Sequence, residues 1–144
     1  MRLWLLDTGP LVAYLDARDQ AHVKADECLS AFTGTLATTG AVITEAMYFV
    51  SATTEGPEAL ANFAHAAGLL VYDCAQPSQL KVAARLMRKY ADIPMDFADA
   101  TLVLLADQLS TVEVITLDRR GFSAYRTSRG KSFRLILDID GRTN

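Results

Sequence analysis

Little in this chain invites zinc or disulfide chemistry. Its 144 residues include two cysteines, Cys28 and Cys74, and two histidines, His22 and His65, and no Cys-x-x-Cys pair. A zinc site of the sulfur and imidazole type needs more of both, and two isolated cysteines read as small buried hydrophobes. A basic excess is missing too. Fourteen Lys and Arg stand against 17 Asp and Glu, for a net charge of −3, whereas a module that grips nucleic acid by bulk charge shows the opposite balance. Long hydrophobic runs are absent. The first apolar run, Leu3-Trp4-Leu5-Leu6, stops at Asp7 and is too short for a signal-peptide core or a membrane span. The cytoplasm is therefore the expected compartment, with no membrane association. No low-complexity tract, internal repeat or linker interrupts the chain. With 51% apolar residues, a chain of this length holds one real core, since domains near this size bury roughly 68–70% of their unfolded surface. The expected organisation is one domain over residues 1–140 and a short tail over 141–144.

What is present is an alternation of short apolar runs with longer helical stretches. Arg2–Leu6 reads as a buried strand. Gly9-Pro10 opens a helix through Leu15, with proline near the helix start where its missing N–H costs nothing. His22–Phe32 has helical apolar spacing, and Thr35–Ala37 is a short strand. Thr38-Thr39 can cap a helix running to Val50. Pro57–Ala67, Pro77–Tyr90 and Phe97–Gln108 follow as helices. Pro77–Tyr90 sets Leu80, Ala83, Ala84 and Met87 on one side and its basic residues over the rest. Leu69–Tyr72, Val112–Leu117 and Phe133–Leu137 read as strands, and Asp118–Ser132 as the main irregular stretch. Strands alternating with helices imply parallel β-α units, and strands apolar without alternation imply a sheet covered on both faces. The expected fold is a three-layer α/β/α sandwich around a mostly parallel sheet of about five strands.

The acids gain meaning on that scaffold. Asp7 follows Leu5-Leu6 and Asp118 follows Thr116-Leu117, so each reads as a strand-end residue. Ligands of open parallel sheets bind just beyond the carboxyl ends of the strands. If these two strands are neighbours, the two carboxylates converge. Glu45 is the only charge in an otherwise apolar or small helical stretch, Ala41 to Ala52, where an uncompensated carboxylate is expensive to bury. Asp96 and Asp99, spaced i, i+3, share one face of a first helical turn, and small Ala98 and Ala100 flank Asp99. Acids that meet without Lys or Arg repel one another, and a divalent cation resolves the conflict. Oxygen-only ligation suits Mg²⁺ or Mn²⁺, which can bind phosphate oxygens and activate water. Thr8 and Thr116 sit beside the strand-end aspartates, where their hydroxyls can orient ligands or waters. Each residue has a plainer reading alone: turn, cap, first-turn acid or buried ion-pair partner. The joint pattern carries the weight.

These pieces together resemble the PIN-domain nucleases, and among them the VapC-type toxins of prokaryotic toxin–antitoxin pairs. The matching stretches are Leu-Leu-Asp7-Thr-Gly-Pro-Leu, Thr44-Glu45, Pro94-Met-Asp96-Phe-Ala-Asp99-Ala and Thr116-Leu-Asp118-Arg-Arg-Gly-Phe122. Their order and spacing agree over essentially the whole chain. The resemblance implies a five-stranded α/β/α fold and Mg²⁺- or Mn²⁺-dependent cleavage of RNA. It implies Asp7 and Asp99 as principal metal ligands, Asp118 completing the first site or helping a second, and Glu45 ligating or positioning the attacking water. Asp96 is a further candidate ligand. It also implies a homodimer silenced by a cognate antitoxin whose segment wraps the groove.

Six basic residues lie from Arg119 to Arg134 with no acid among them, and Phe122 and Tyr125 are interleaved. Of these, Arg119, Arg120 and Arg126 are candidate RNA contacts, because cations attract phosphates and aromatics stack on bases. Competing signatures fail. An aspartic protease needs an all-β fold, a phosphatase with a strand-end nucleophile needs an acid at position 9, and a phosphorylated receiver needs an acidic pair and a late lysine that are not there. The remaining rival is a non-catalytic PIN-like module that binds RNA or protein.

Overall fold

The structure is a computed structural model that describes residues 2–137; the expected tail over 141–144 lies outside the described residues. In chain order the elements are β1 (Leu3–Leu6), α1 (Thr8–Leu15), α2 (His22–Ala31), β2 (Thr35–Thr39), α3 (Gly40–Val50), α4 (Gly56–Ala67), β3 (Leu70–Tyr72), α5 (Pro77–Lys89), α6 (Phe97–Leu109), β4 (Glu113–Ile115), α7 (Arg119–Ala124) and β5 (Arg134–Leu135). The strands form one sheet in the order β3-β2-β1-β4-β5, every pair parallel. This is the expected α/β sandwich.

Alternation along β1 divides the core in two, since successive strand residues point to opposite faces. Leu5, with Ala37 and Val114 of its neighbours, packs under Leu102, Val103 and Leu105 of α6 and Phe122 of α7. Trp4 and Leu6, with Leu36 and Ile115, pack against Leu11 of α1, Leu29 of α2, Ala46 of α3 and Leu60 of α4. Leu5, Leu6, Leu11, Leu102, Leu105 and Ile115 have no solvent exposure, and each such side chain contributes roughly 1.5–3 kcal/mol over leaving it in water.

The chain winds from β1 outward through β2 to β3, then crosses back to lay β4 on the other side of β1. The direction reverses between β1 and β4, and crevices of parallel sheets open at such a switch point. Hydrogen bonding continues past the end of β1, where Asp7 N–H donates to the Ile115 carbonyl at 3.1 Å.

Three expectations need correction. Burial on both faces holds for β1, but β3 is an edge strand, and Leu70 and Val71 are 41% and 51% exposed. Asp118 does not end a strand. β4 stops at Ile115, and Asp118 is the N-cap of α7, its Oδ1 accepting from Gly121 N–H at 3.0 Å. The stretch read as irregular therefore contains a helix. It is too short to show a period, and it is held by a cap at each end rather than by its own propensity. Finally, the apolar side of α5 is only partly covered: Ala83 is buried, while Leu80 and Ala84 are exposed.

Candidate active site

A cleft of about 590 Å³ opens at the carboxyl ends of β1 and β4. Asp7, Glu45, Asp96, Asp99 and Asp118 all line it, together with Asp19. Separate stretches of chain thus deliver every acid singled out in the sequence to one place. Asp19 was missed. It lies between α1 and α2 and caps a turn, accepting from Ala21 N–H at 2.8 Å, and nothing in its sequence surroundings distinguishes it from an ordinary turn aspartate.

Asp7 is buried at the first turn of α1. Its Oδ1 accepts from Thr8 N–H at 2.8 Å, and its Oδ2 from the Thr116 hydroxyl at 2.6 Å. Thr116 is fully buried and also accepts from Asp118 N–H at 2.9 Å. One threonine thus ties together the two acids of the switch point. Burial holds the Asp7 carboxyl up at about 6 despite those two hydrogen bonds, with the charges of Asp118 and Asp96 adding to the effect.

Asp96 and Asp99 form a reciprocal cap on α6. Asp99 N–H donates to Asp96 Oδ1 at 2.8 Å and Asp96 N–H donates to Asp99 Oδ2 at 3.1 Å. The i, i+3 pair is therefore both helix cap and cleft wall. Asp99 is buried, and that burial pushes its carboxyl up to about 8. The Asp96 N–H opposes the shift, and the Asp96 and Asp7 charges reinforce it. The hydroxyl of fully buried Tyr125 also donates to Asp99 Oδ2, at 3.3 Å. Tyr125 sits edge-on to Tyr90 and Phe122, so its position is set by packing. Glycine at 121 makes room for this cluster: a Cβ there would stand 2.3 Å from Asp118 Oδ2 and 2.8 Å from the Tyr125 hydroxyl. No sequence signal marked Tyr125 as a partner of Asp99.

Glu45 is half-buried on α3 and reaches the cleft from the helix capped by Thr39, whose hydroxyl accepts from Val42 N–H. The expected cost of its burial is reduced by this partial exposure rather than by a cation. Among the described residues no lysine, arginine or histidine lines the cleft.

The arginines sit differently. Arg119 and Arg120 are exposed on α7, and Arg120 donates to the Asp92 carbonyl at 3.4 Å. Arg126 turns back on its own chain. One guanidinium nitrogen donates to the carbonyls of Ser123, Ala124 and Tyr125 at 2.9, 3.1 and 2.8 Å, closing the end of α7. None of the three lines the cleft.

The donors here are all oxygens. Among the described residues no three acids, histidines or cysteines are already closed into a metal-ligand cage. The set nonetheless fits a hard divalent cation: unpaired carboxylates, no lining cation, and the buried Thr8 hydroxyl beside Asp7 without a hydrogen-bond partner.

A profile of the PIN domain matches residues 4–127. The chain is 37% identical over 135 residues to Ribonuclease VapC26 of Mycobacterium tuberculosis (strain ATCC 25618 / H37Rv), covering 92% of this chain and 98% of that protein. The crystal structure of Mycobacterium tuberculosis VapC20, a sarcin-ricin loop cleaving toxin, superposes with a TM-score of 0.71 at 15% identity, over 86% of this chain and 96% of that one. The chain belongs to the PIN-domain family, and its relatives within that family are VapC-type ribonucleases.

Proposed function

We propose that this protein is a Mg²⁺- or Mn²⁺-dependent endoribonuclease, the toxin of a toxin–antitoxin pair. One observation carries the reading: six carboxylates share a cleft that no basic side chain among the described residues lines. The kinship with Ribonuclease VapC26 over nearly the full length of both chains supports the same activity.

In this reading Asp7 and Asp99 are the principal ligands, Asp118 and Asp96 complete the set, and Glu45 holds the attacking water or joins the ligands. A divalent cation bound there supplies positive charge to the phosphate oxygens and lowers the pKa of a bound water. Thr116 fixes the Asp7 carboxylate from below and orders Asp118 through its N–H. Tyr125 fixes Asp99 in the same way. Arg119 and Arg120, exposed just after Asp118, attract the flanking phosphates of the RNA. Arg126 serves α7 instead. Between about pH 6 and 8 the buried acids exchange protons for the cation, so loading releases protons. A cytoplasmic homodimer, silenced by an antitoxin whose segment covers the cleft, completes the proposal. Among the described residues no helix is long and apolar enough to cross a membrane.

The test is RNA cleavage with Mg²⁺ or Mn²⁺, with EDTA, and with Asp99→Asn. Activity that vanishes in both controls is expected. Cleavage that persists in both rejects the mechanism. RNA binding without metal-dependent cleavage points instead to a non-catalytic binding module.

A further inference from the structure

The cleft has an apolar wall as well as an acidic one. Val12, Phe49, Pro94 and Leu117 line it beside the carboxylates. Phe49 is the unusual member. It is 52% exposed, and its neighbour Tyr48 is 78% exposed, their rings edge-on at 5.6 Å. Phe49 follows Glu45 by four residues on α3. Such positions lie one above the other on a helix face, roughly 5–6 Å apart at Cβ, so the ring and the carboxylate look into the same space.

The geometry points to Phe49 as the stacking platform for the nucleobase next to the cleaved phosphodiester. The inference rests on the RNA-cleaving reading above and names the form of RNA that reading requires. With no cationic side chain among the described residues lining the cleft, its hold on a nucleotide comes from the acids through their cation at the phosphate and from the apolar wall at the base. A planar ring face one helical turn from an acid matches the two halves of a nucleotide. A protein segment covering the cleft, the proposed antitoxin included, must bring a cation of its own to the acids, because an apolar side chain on the ring alone leaves them desolvated without compensation. Base–aromatic stacking tolerates every base, because each has a π-face. It also needs an unpaired base, because a base inside a duplex has both faces covered. The substrate is therefore single-stranded RNA or an extruded loop nucleotide.

Two measurements test this. In the first, wild-type, Phe49→Ala, Phe49→Leu and Phe49→Trp proteins cleave one single-stranded oligoribonucleotide under the metal conditions that support wild-type activity. Phe49→Ala and Phe49→Leu are expected to lose about 5- to 140-fold in kcat/KM, the factor that corresponds to one stacked base. Phe49→Trp keeps the rate. An abasic nucleotide beside the cleaved bond slows the wild type similarly and adds little in Phe49→Ala. The second measurement needs no catalysis. With its acids intact and Mg²⁺ or Mn²⁺ present, Phe49→Trp is titrated with the same oligoribonucleotide carrying a cleavage-resistant linkage at the scissile position. The introduced indole is quenched, while the native Trp4, buried and stacked on Phe32 at 3.7 Å, keeps its signal in the parent. Three results would overturn the inference: Phe49→Leu matching the wild type, bound RNA by anisotropy with no quenching, or an effect of Phe49→Ala confined to the oligomeric state in sedimentation. Quenching in a protein whose wild type cleaves no RNA sinks the nuclease reading and upholds the base site.

Discussion

β4 has a carboxylate near each end, and the two are treated in opposite ways. At its start, Glu113 accepts from Arg2 at 3.3 Å, from Arg134 at 3.4 Å and from the Trp4 indole at 3.2 Å. Beyond its other end, Asp118 joins Asp7, Glu45, Asp96 and Asp99 in a cleft that no described basic residue lines. The amino end of the strand neutralises its acid with the protein's own cations. The opposite end leaves several acids uncompensated and keeps two of them, Asp7 and Asp99, largely out of water. Such an arrangement costs stability in the empty protein and creates affinity for an outside cation.

That contrast can be broken most sharply by substitution. Asp99→Asn is expected to lower RNA cleavage by at least about 100-fold, since even outer partners of metal ligands cost 10–100-fold when removed. Glu113→Gln is expected to leave the rate unchanged. Equal losses in the two variants, measured as single-turnover cleavage, would erase the distinction between the ends. Tyr125→Phe comes next. It removes the hydroxyl donated to Asp99 and keeps the packing of the ring, and metal affinity by titration calorimetry should fall roughly 10-fold with little change in melting temperature.

Acid–base behaviour sharpens the same contrast. Unfolded, Asp7 and Asp99 ionise near 3.8; folded and metal-free, they hold their protons to about 6 and about 8. Between those values the folded protein binds more protons than the unfolded chain. Its stability from these groups is full below about pH 4 and is lost as the pH rises through 6 and then 8. The metal-free melting temperature should therefore fall from about pH 5 to about pH 8.5, and Mg²⁺ or Mn²⁺ should restore more of it at the higher pH. Asp7→Asn should flatten the profile and raise the metal-free unfolding free energy at pH 8, by an amount on the order of 1 kcal/mol. A flat wild-type profile would mean that the acids are not desolvated as described. The smallest effect belongs to Glu113→Gln, under about 1 kcal/mol by urea unfolding, because its pairs are partly exposed.

Much of this was legible in the chain. Asp7 could be read because an apolar strand runs straight into a proline-started helix. Asp99 could be read because two acids three apart mark a helix start. Both signals are local. Asp118 was found for a partly wrong reason, as a strand end, when it is the cap of α7. That helix was hidden because Arg119-Arg120-Gly121 has no apolar period and depends on side chains that cap it. Arg126 looked like a phosphate contact, and its guanidinium is spent on three carbonyls of its own turn. Asp19 and Phe49 were invisible as site residues, because in sequence they are a turn acid and a helix-core apolar residue. Phe122 and Tyr125 looked like base-stacking aromatics, but both are fully buried, and Tyr125 holds Asp99 instead.

By itself the sequence determined the alternation of strands and helices, the parallel sheet and the identity of five of the six cleft acids, because hydrophobic period and helix caps act over a few residues. Only the tertiary structure decided that β1 and β4 are neighbours, that Thr116 and Tyr125 hold the acids, that Phe49 faces the cleft and that no described cation enters it. Those facts depend on which distant segments pack together, and charge compensation is settled only there.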